Sequence, residues 1–213
     1  MIGSDWLAVS LAFLLGSLPF SWILVWLLRG VDLRTVGSGN PGATNAFRVV
    51  GKGWGTLALL LDIGKGLVAV LAPHWLSPET GWLPAACGLA AILGNVFCPF
   101  LKFKGGKAVA TASGVFLGLV PFSFLITAIV FGLIFWWTRQ VSLGSLAGAV
   151  VLPLLLTGFF LTRGAHAPHA TVVALVWFAA ILVIYRHRAN IHRILKGEEL
   201  SFRSPVKSDP PGA

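Results

Sequence analysis

The sequence predicts an all-α membrane protein with seven transmembrane helices, the fourth and fifth short, the N-terminus outside and the C-terminus inside. Three observations carry this: a shortage of charge, the lengths of the apolar runs, and the one-sided placement of Lys and Arg. Only 11% of the 213 residues are charged and 56% are hydrophobic. A soluble domain carries about 25% charged residues, so this chain lacks the polar coat that water requires, and a bilayer is the solvent that suits it. A first span with no Lys or Arg ahead of it reads as a retained anchor, not a cleaved signal. Residues 1–203 form one membrane domain, and the Pro- and Ser-rich tail 204–213 is expected to be disordered.

A helix needs about 20 apolar residues to cross a core of about 30 Å. Runs of suitable character cover residues 5–28, 54–76, 82–101, 108–138, 141–161 and 170–185. The fourth would make a rod of roughly 46 Å at about 1.5 Å per residue, too long for one crossing. Pro121 sits near its middle, where a helix ends or kinks. Charge parity decides that it turns back. With a break there, all sixteen Lys and Arg except Lys65 and Arg163 fall on one side, the cytoplasmic one. The tryptophans at 6, 26, 54, 75, 82, 136 and 137 lie near span ends, where amphipathic rings favour the headgroup level. Cys87 and Cys98 lie in an apolar stretch and read as small core residues.

Three segments on the basic side look suited to anions. The first runs from Gly37 through Ser38, Gly39, Asn40, Pro41, Gly42, Ala43, Thr44 and Asn45 to Arg48. Its glycines let the backbone turn and approach a ligand. Its Ser, Thr and Asn offer neutral hydrogen bonds, and Arg48 can fork onto a phosphate. A turn-rich linker would not need so many polar groups. The second is Lys104-Gly105-Gly106-Lys107, immediately before a predicted helix, where exposed amides and the positive dipole end favour an anion. Three nearby lysines would also serve as a topology signal alone. In the third, His187, Asn190 and Arg193 share one side if the last helix continues, with Glu199 beyond. A basic cluster facing anionic lipid is nearly as good an account of it. Asp62 and Lys65, three residues apart inside the second span, read equally well as a neutralising pair or as support for the first loop.

Seven acidic residues are scattered along the chain, so no cluster of carboxylates is available for two metal ions, and no Ser-His-acid triad is visible. Chemistry here would rest on cationic hydrogen-bond donors acting on a substrate that is already activated.

At these segments the sequence resembles the bacterial acyl-phosphate-dependent glycerol-3-phosphate acyltransferases, the PlsY family. The matching stretches are GSGNPGATNAFR (37–48), DIGKG (62–66), FKGGKAVAT (103–111) and RHRANIHRILKGEE (186–199), with SLGSL at 142–146. The resemblance implies a seven-span, metal-free and cofactor-free enzyme of the bacterial inner membrane, with its active site on the cytoplasmic side. It would move an acyl group from acyl phosphate to the sn-1 hydroxyl of glycerol 3-phosphate, giving lysophosphatidic acid and phosphate. Its partners would be those two substrates, membrane lipid and the enzyme that forms the acyl phosphate; no nucleic acid is implied. Carried over by position, Ser38, Arg48, Lys104, His187 and Asn190 would be catalytic. Gly37, Gly39, Asn40, Thr44, Asn45, Gly105, Gly106, Lys107, Arg193 and Glu199 would bind substrate, with Asp62, Lys65 and Asn95 in support. The general base stays open between Ser38, His187 and the substrate's own phosphate.

The chain departs from the family pattern at three positions, one of them Pro99, which falls one place later than the family's proline. Asn95 stands where the family carries His, and keeps hydrogen bonding but cannot take up and release a proton as an imidazole does. Ala108 stands where a glycine is usual, which would crowd the loop if that position needs a positive φ. A transporter for an anionic metabolite is the main alternative, but Asp62 and Lys65 are the only intramembrane charges. A non-catalytic lipid-binding protein is the third reading.

Overall fold

A computed structural model describes residues 2–76, 81–162 and 169–202, and these residues fold into helices joined by short connections. In chain order they are α1 (Ile2–Ser17), α2 (Phe20–Arg29), α3 (Ala43–Leu76), α4 (Leu83–Val96), α5 (Val109–Leu119), α6 (Pro121–Thr138), α7 (Val141–Thr162), α8 (Ala170–Arg186) and α9 (Arg188–Leu195). A 3-10 turn, Pro99–Leu101, follows α4. The expected tail at 204–213, Glu79 and Arg163 lie outside the described residues.

The first apolar run is two helices, not one. Pro19 has no N–H to give and disfavours helix at Leu18, so α1 stops at Ser17 and α2 begins at Phe20. The freed Leu18 carbonyl accepts a hydrogen bond from Lys65 Nζ at 2.7 Å. Lys65 pairs with Asp62 at 2.8 Å, and Ser21 Oγ donates to Asp62 at 2.6 Å. Both ionic groups are buried. The pair therefore ties α3 to the break between α1 and α2.

The second run starts earlier than expected. α3 begins at Ala43, so Thr44, Asn45 and Arg48 stand on helix and not in a loop, and Gly51 (φ 80°) kinks it before the long apolar stretch. The fourth run breaks at Pro121 as its length required. Its first half, α5, has 11 residues and spans only about 16 Å at 1.5 Å per residue. Its second half, α6, reaches 18 residues and is long enough to cross. Of these two halves only α5 is too short to cross by itself. Five described stretches are long and apolar enough to cross a membrane, and the bent pair of α8 and α9 makes a sixth.

α1 packs on α4, α3 on α5, and α6 on α7. Glycine permits the closest of these approaches. A Cβ on Gly16 or Gly94 would strike the backbone of the partner helix, as would one on Gly66 or Gly114 between α3 and α5. One core of Ile92, Val115, Leu156 and Val176 ties α4, α5, α7 and α8 together. A second, of Ala12, Leu83, Cys87 and Ala91, joins α1 to α4. α6 turns Ile129, Leu133 and Trp137 outward, 63%, 65% and 88% exposed, which is reasonable only against lipid.

Candidate active site

The first anion segment is tied from within. Gly30, in the left-handed region, ends α2. Asp32 then takes Arg34 in a forked pair at 2.6 Å and the indole N–H of Trp22 at 2.8 Å. The guanidinium holds the Asp32 carboxyl down at about 2. Beyond it the loop folds around Asn45, which is fully buried. The Asn45 amide nitrogen donates to the carbonyls of Leu33 and Val36, both at 2.9 Å, and its oxygen accepts from the Ser38 N–H at 3.0 Å. Gly37 (φ 60°) lies so close to that oxygen that no Cβ would fit. Asn45 and Gly37 therefore shape the loop and do not line the cavity below; Gly39, also at positive φ, is outside it too. Ser38, Asn40, Thr44 and Arg48 do line it.

The second segment is held from outside. The amides expected to meet an anion are already engaged: Gly105 donates to the Val96 carbonyl and Gly106 to that of Asn95, each at 3.1 Å. The Gly105 carbonyl accepts from Arg186 at 2.8 Å, and the Leu101 carbonyl accepts from Arg34 at 3.1 Å. Arg34 and Arg186 thus brace this loop. Amides without an intrahelical carbonyl are found instead in the first turn of α5, at the positive end of its dipole. Ala108, the N-cap of α5, has φ 59°, so the position does require the left-handed backbone that glycine takes freely. Asn95 holds Gly106 through its backbone carbonyl, a contact that any residue at 95 could make.

Lys107 enters the cavity and Lys104 does not. Lys104 is exposed on the loop's outer side, whereas Lys107 donates through Nζ to the side-chain oxygen of Asn190. Burial pushes the Lys107 amine down to about 8; the neighbouring Arg193, Arg186 and Arg48 push the same way against an opposing pull from Glu199.

The third segment bends. α8 ends at Arg186 and α9 leaves at 56°, with His187 between them, so the expected single helical side does not exist. His187, Asn190 and Arg193 still face one cavity. His187 is buried, and its Nδ1 lies 2.8 Å from the Val183 carbonyl. A carbonyl can only accept, so Nδ1 carries the proton and Nε2 keeps a lone pair. Burial, then the charge on Lys107, pushes the imidazole down to about 4, so it is neutral near pH 7. The chain then returns. Glu199 accepts from Asn190 at 2.6 Å and from Arg193 Nε at 2.9 Å. Arg48 donates to the Ser201 carbonyl at 3.1 Å, and Phe202 packs between Phe47 and Phe135. Ser201 and Phe202 carried no sequence signal, because their part depends on partners more than 60 residues away.

These groups surround one cavity of about 520 Å³. Its mouth holds Ser38, Arg48, Lys107, His187, Asn190 and Arg193, and its inner wall is apolar, from Phe116, Phe131, Leu152 and Val176. Cations at the mouth can hold anions, and the inner limb can take a hydrocarbon chain. Asn95 and Asp62 also reach the cavity wall; Lys65 and Gly105 do not.

A helical membrane protein with such a cavity is equipped to handle an anionic, lipid-like molecule. Residues 6–197 match the family model described as glycerol-3-phosphate acyltransferase. The chain is 42% identical over 198 residues to the glycerol-3-phosphate acyltransferase of Endomicrobium trichonymphae, covering 92% of this chain and 95% of that one. It is 45% identical over 195 residues to that of Geotalea daltonii, covering 90% and 94%. Among solved structures it is similar to PlsY (YgiH), an integral membrane glycerol 3-phosphate acyltransferase. The glycerol 3-phosphate form superposes with a TM-score of 0.83 at 40% identity, covering 93% of this chain and 95% of that one. The lysophosphatidic acid form gives 0.81 at 38% identity, with the same coverage. The chain belongs to the glycerol-3-phosphate acyltransferase family, and it is an acyltransferase of the integral-membrane kind.

Proposed function

We propose that this protein transfers an acyl group from acyl phosphate to the sn-1 hydroxyl of glycerol 3-phosphate, releasing lysophosphatidic acid and phosphate. The observation that carries the reading is the single cavity, cationic at its mouth and apolar within, which suits one small phosphate ester and one phosphate with a hydrocarbon tail. In this reading the basic loops face inward, as the one-sided Lys and Arg of the sequence suggest, so the site opens to the cytoplasmic face of a bacterial inner membrane, where the enzyme that forms the acyl phosphate would supply the donor.

In this reading Ser38, Arg48 and Arg193 hold glycerol 3-phosphate, with Asn40 and Thr44 beside them. Lys107 and the first turn of α5 hold the acyl phosphate, and Asn190 and Glu199 position the cations. Gly37, Gly39 and Asn45 shape the first loop, Asn95, Gly105 and Gly106 the second, and Asp62, neutralised by Lys65 behind it, the wall beneath. Lys104, exposed at the rim, contributes charge that draws anions in. The sn-1 hydroxyl attacks the acyl carbonyl carbon, the carbonyl π pair moves to oxygen, and its return expels phosphate. The mixed anhydride is reactive, so alignment and charge stabilisation can supply most of the rate. His187, with its low basicity, offers Nε2 as an acceptor that aligns the hydroxyl, and a phosphate oxygen is the stronger base for its proton.

Purified protein in lipid, given palmitoyl phosphate and glycerol 3-phosphate with a chelator present, should release phosphate and form lysophosphatidic acid. Absence of product would sink the reading. Equal rates with palmitoyl-CoA would overturn the donor.

A further inference from the structure

Hydroxyls on the helices of this protein mostly spend their proton on their own helix. Ser17, Ser113, Thr127 and Ser145 each donate to the carbonyl four residues back, at 2.7–2.9 Å. Thr111 does not. It stands in the first turn of α5, and the residue four back, Lys107, lies outside the helix beyond the left-handed Ala108. The carbonyl that serves the other hydroxyls, four residues back, is therefore not part of its helix. Thr111 is 1% exposed, and its Oγ1 has no hydrogen-bond partner among the described residues. A buried hydroxyl without a partner is costly and calls for an explanation.

Thr111 lines the same cavity as Lys107. Its position is set by backbone packing: a Cβ on Gly66 of α3 would collide with the Thr111 carbonyl, so α3 and α5 touch here without room to shift. Thr111 thus stands on the cavity wall about one turn of α5 from Lys107, within reach of the carbonyl of an anhydride held by Lys107 and the first turn of α5.

We propose that Thr111 is a further catalytic residue whose hydroxyl donates a hydrogen bond to the carbonyl oxygen of the acyl donor. The inference rests on the acyl-phosphate reading above. As the acceptor hydroxyl oxygen bonds to the carbonyl carbon, the π pair becomes an oxyanion, which the Thr111 proton stabilises without being transferred. Collapse restores the carbonyl and breaks the bond from carbon to the phosphate oxygen, and the acceptor's proton leaves on inorganic phosphate. The amides at the start of α5 reinforce the donor. Because charge on that oxygen grows during reaction, the bond strengthens in the transition state and acts on kcat more than on KM.

The test compares Thr111→Val, which keeps shape and removes the donor, with Thr111→Ser, which keeps the donor and removes a methyl group. Both are assayed with palmitoyl phosphate and glycerol 3-phosphate, with thermal unfolding checked alongside. Thr111→Val should lose about 100-fold in kcat with KM for both substrates within about threefold, and Thr111→Ser should stay within about fivefold of wild type. A Thr111→Val protein with near wild-type kcat overturns the proposal, as does an equal loss in both variants, which would mark a packing role. Wild type that makes no lysophosphatidic acid removes the reading underneath and this inference with it.

Discussion

The two anion segments on either side of the cavity mouth are built on opposite plans. Residues 30–45 are organised by their own side chains: Asp32 collects Trp22 and Arg34, Asn45 bonds three backbone groups, and glycine occupies each positive-φ site at 30, 37 and 39. Residues 97–108 are organised by others. The carbonyls of Asn95 and Val96 receive the Gly-Gly amides, Arg34 and Arg186 reach in from elsewhere, and Lys102, Phe103 and Ala108 take positive φ without being glycine. The first loop should therefore fail as a unit when its central amide is lost. The second should weaken piece by piece and have room for improvement.

Lys107→Ala breaks the comparison most directly, because it deletes the cation the second loop exists to present. Activity should fall by about 100-fold or more in steady-state assays, with little change in unfolding temperature. Asn45→Ala should cost roughly 2–4 kcal/mol in denaturant unfolding, since it leaves the Leu33 and Val36 carbonyls and the Ser38 N–H short of a buried partner. Its activity should fall with stability, unlike that of Lys107→Ala. Arg186→Ala removes one external brace and should lower kcat/KM by about tenfold; a null effect would mean that the Gly105 carbonyl needs no support.

A gentler probe is pH. The Lys107 amine sits at about 8, so its cation is fully present below that value and lost as pH rises through it. KM for the acyl donor should rise above about pH 8, and Lys107→Arg should remove that rise if it still binds. Bound anion will push the amine up, so kcat should follow at higher pH than kcat/KM. The smallest expected effect is a gain. Ala108→Gly relieves a left-handed alanine and should stabilise the protein by about 1 kcal/mol or leave it level, the strain relieved being offset by glycine's greater freedom when unfolded.

The membrane class and the break at Pro121 were legible because they are properties of runs. Apolar length registers along the chain whatever packs beside it. The three anion segments were visible for a similar reason, as dense local mixtures of glycine, cations and small polar residues. Within them, the role of each residue was not legible. Asn45 and Asn40 look alike in sequence, yet one is a buried strut and the other faces the cavity. Lys104 and Lys107 flank the same glycine pair, and only backbone turns at Lys102, Phe103 and Ala108 decide which of them points inward. Pro19 was available to signal the break between α1 and α2, but hydropathy runs across it undisturbed.

The sequence by itself determined that this chain lives in a bilayer, which end of the bundle gathers its cations, and which family it resembles. These follow from hydrophobicity, charge and motif order, all of them readable along one dimension. Only the tertiary structure decided that Lys107 and not Lys104 meets Asn190, that Arg34 and Arg186 are braces, and that Glu199 returns to join Asn190 and Arg193. Those outcomes depend on where backbone carbonyls point and on contacts between segments far apart in the chain. A buried polar group must find a partner wherever packing places one, and no local pattern records that choice.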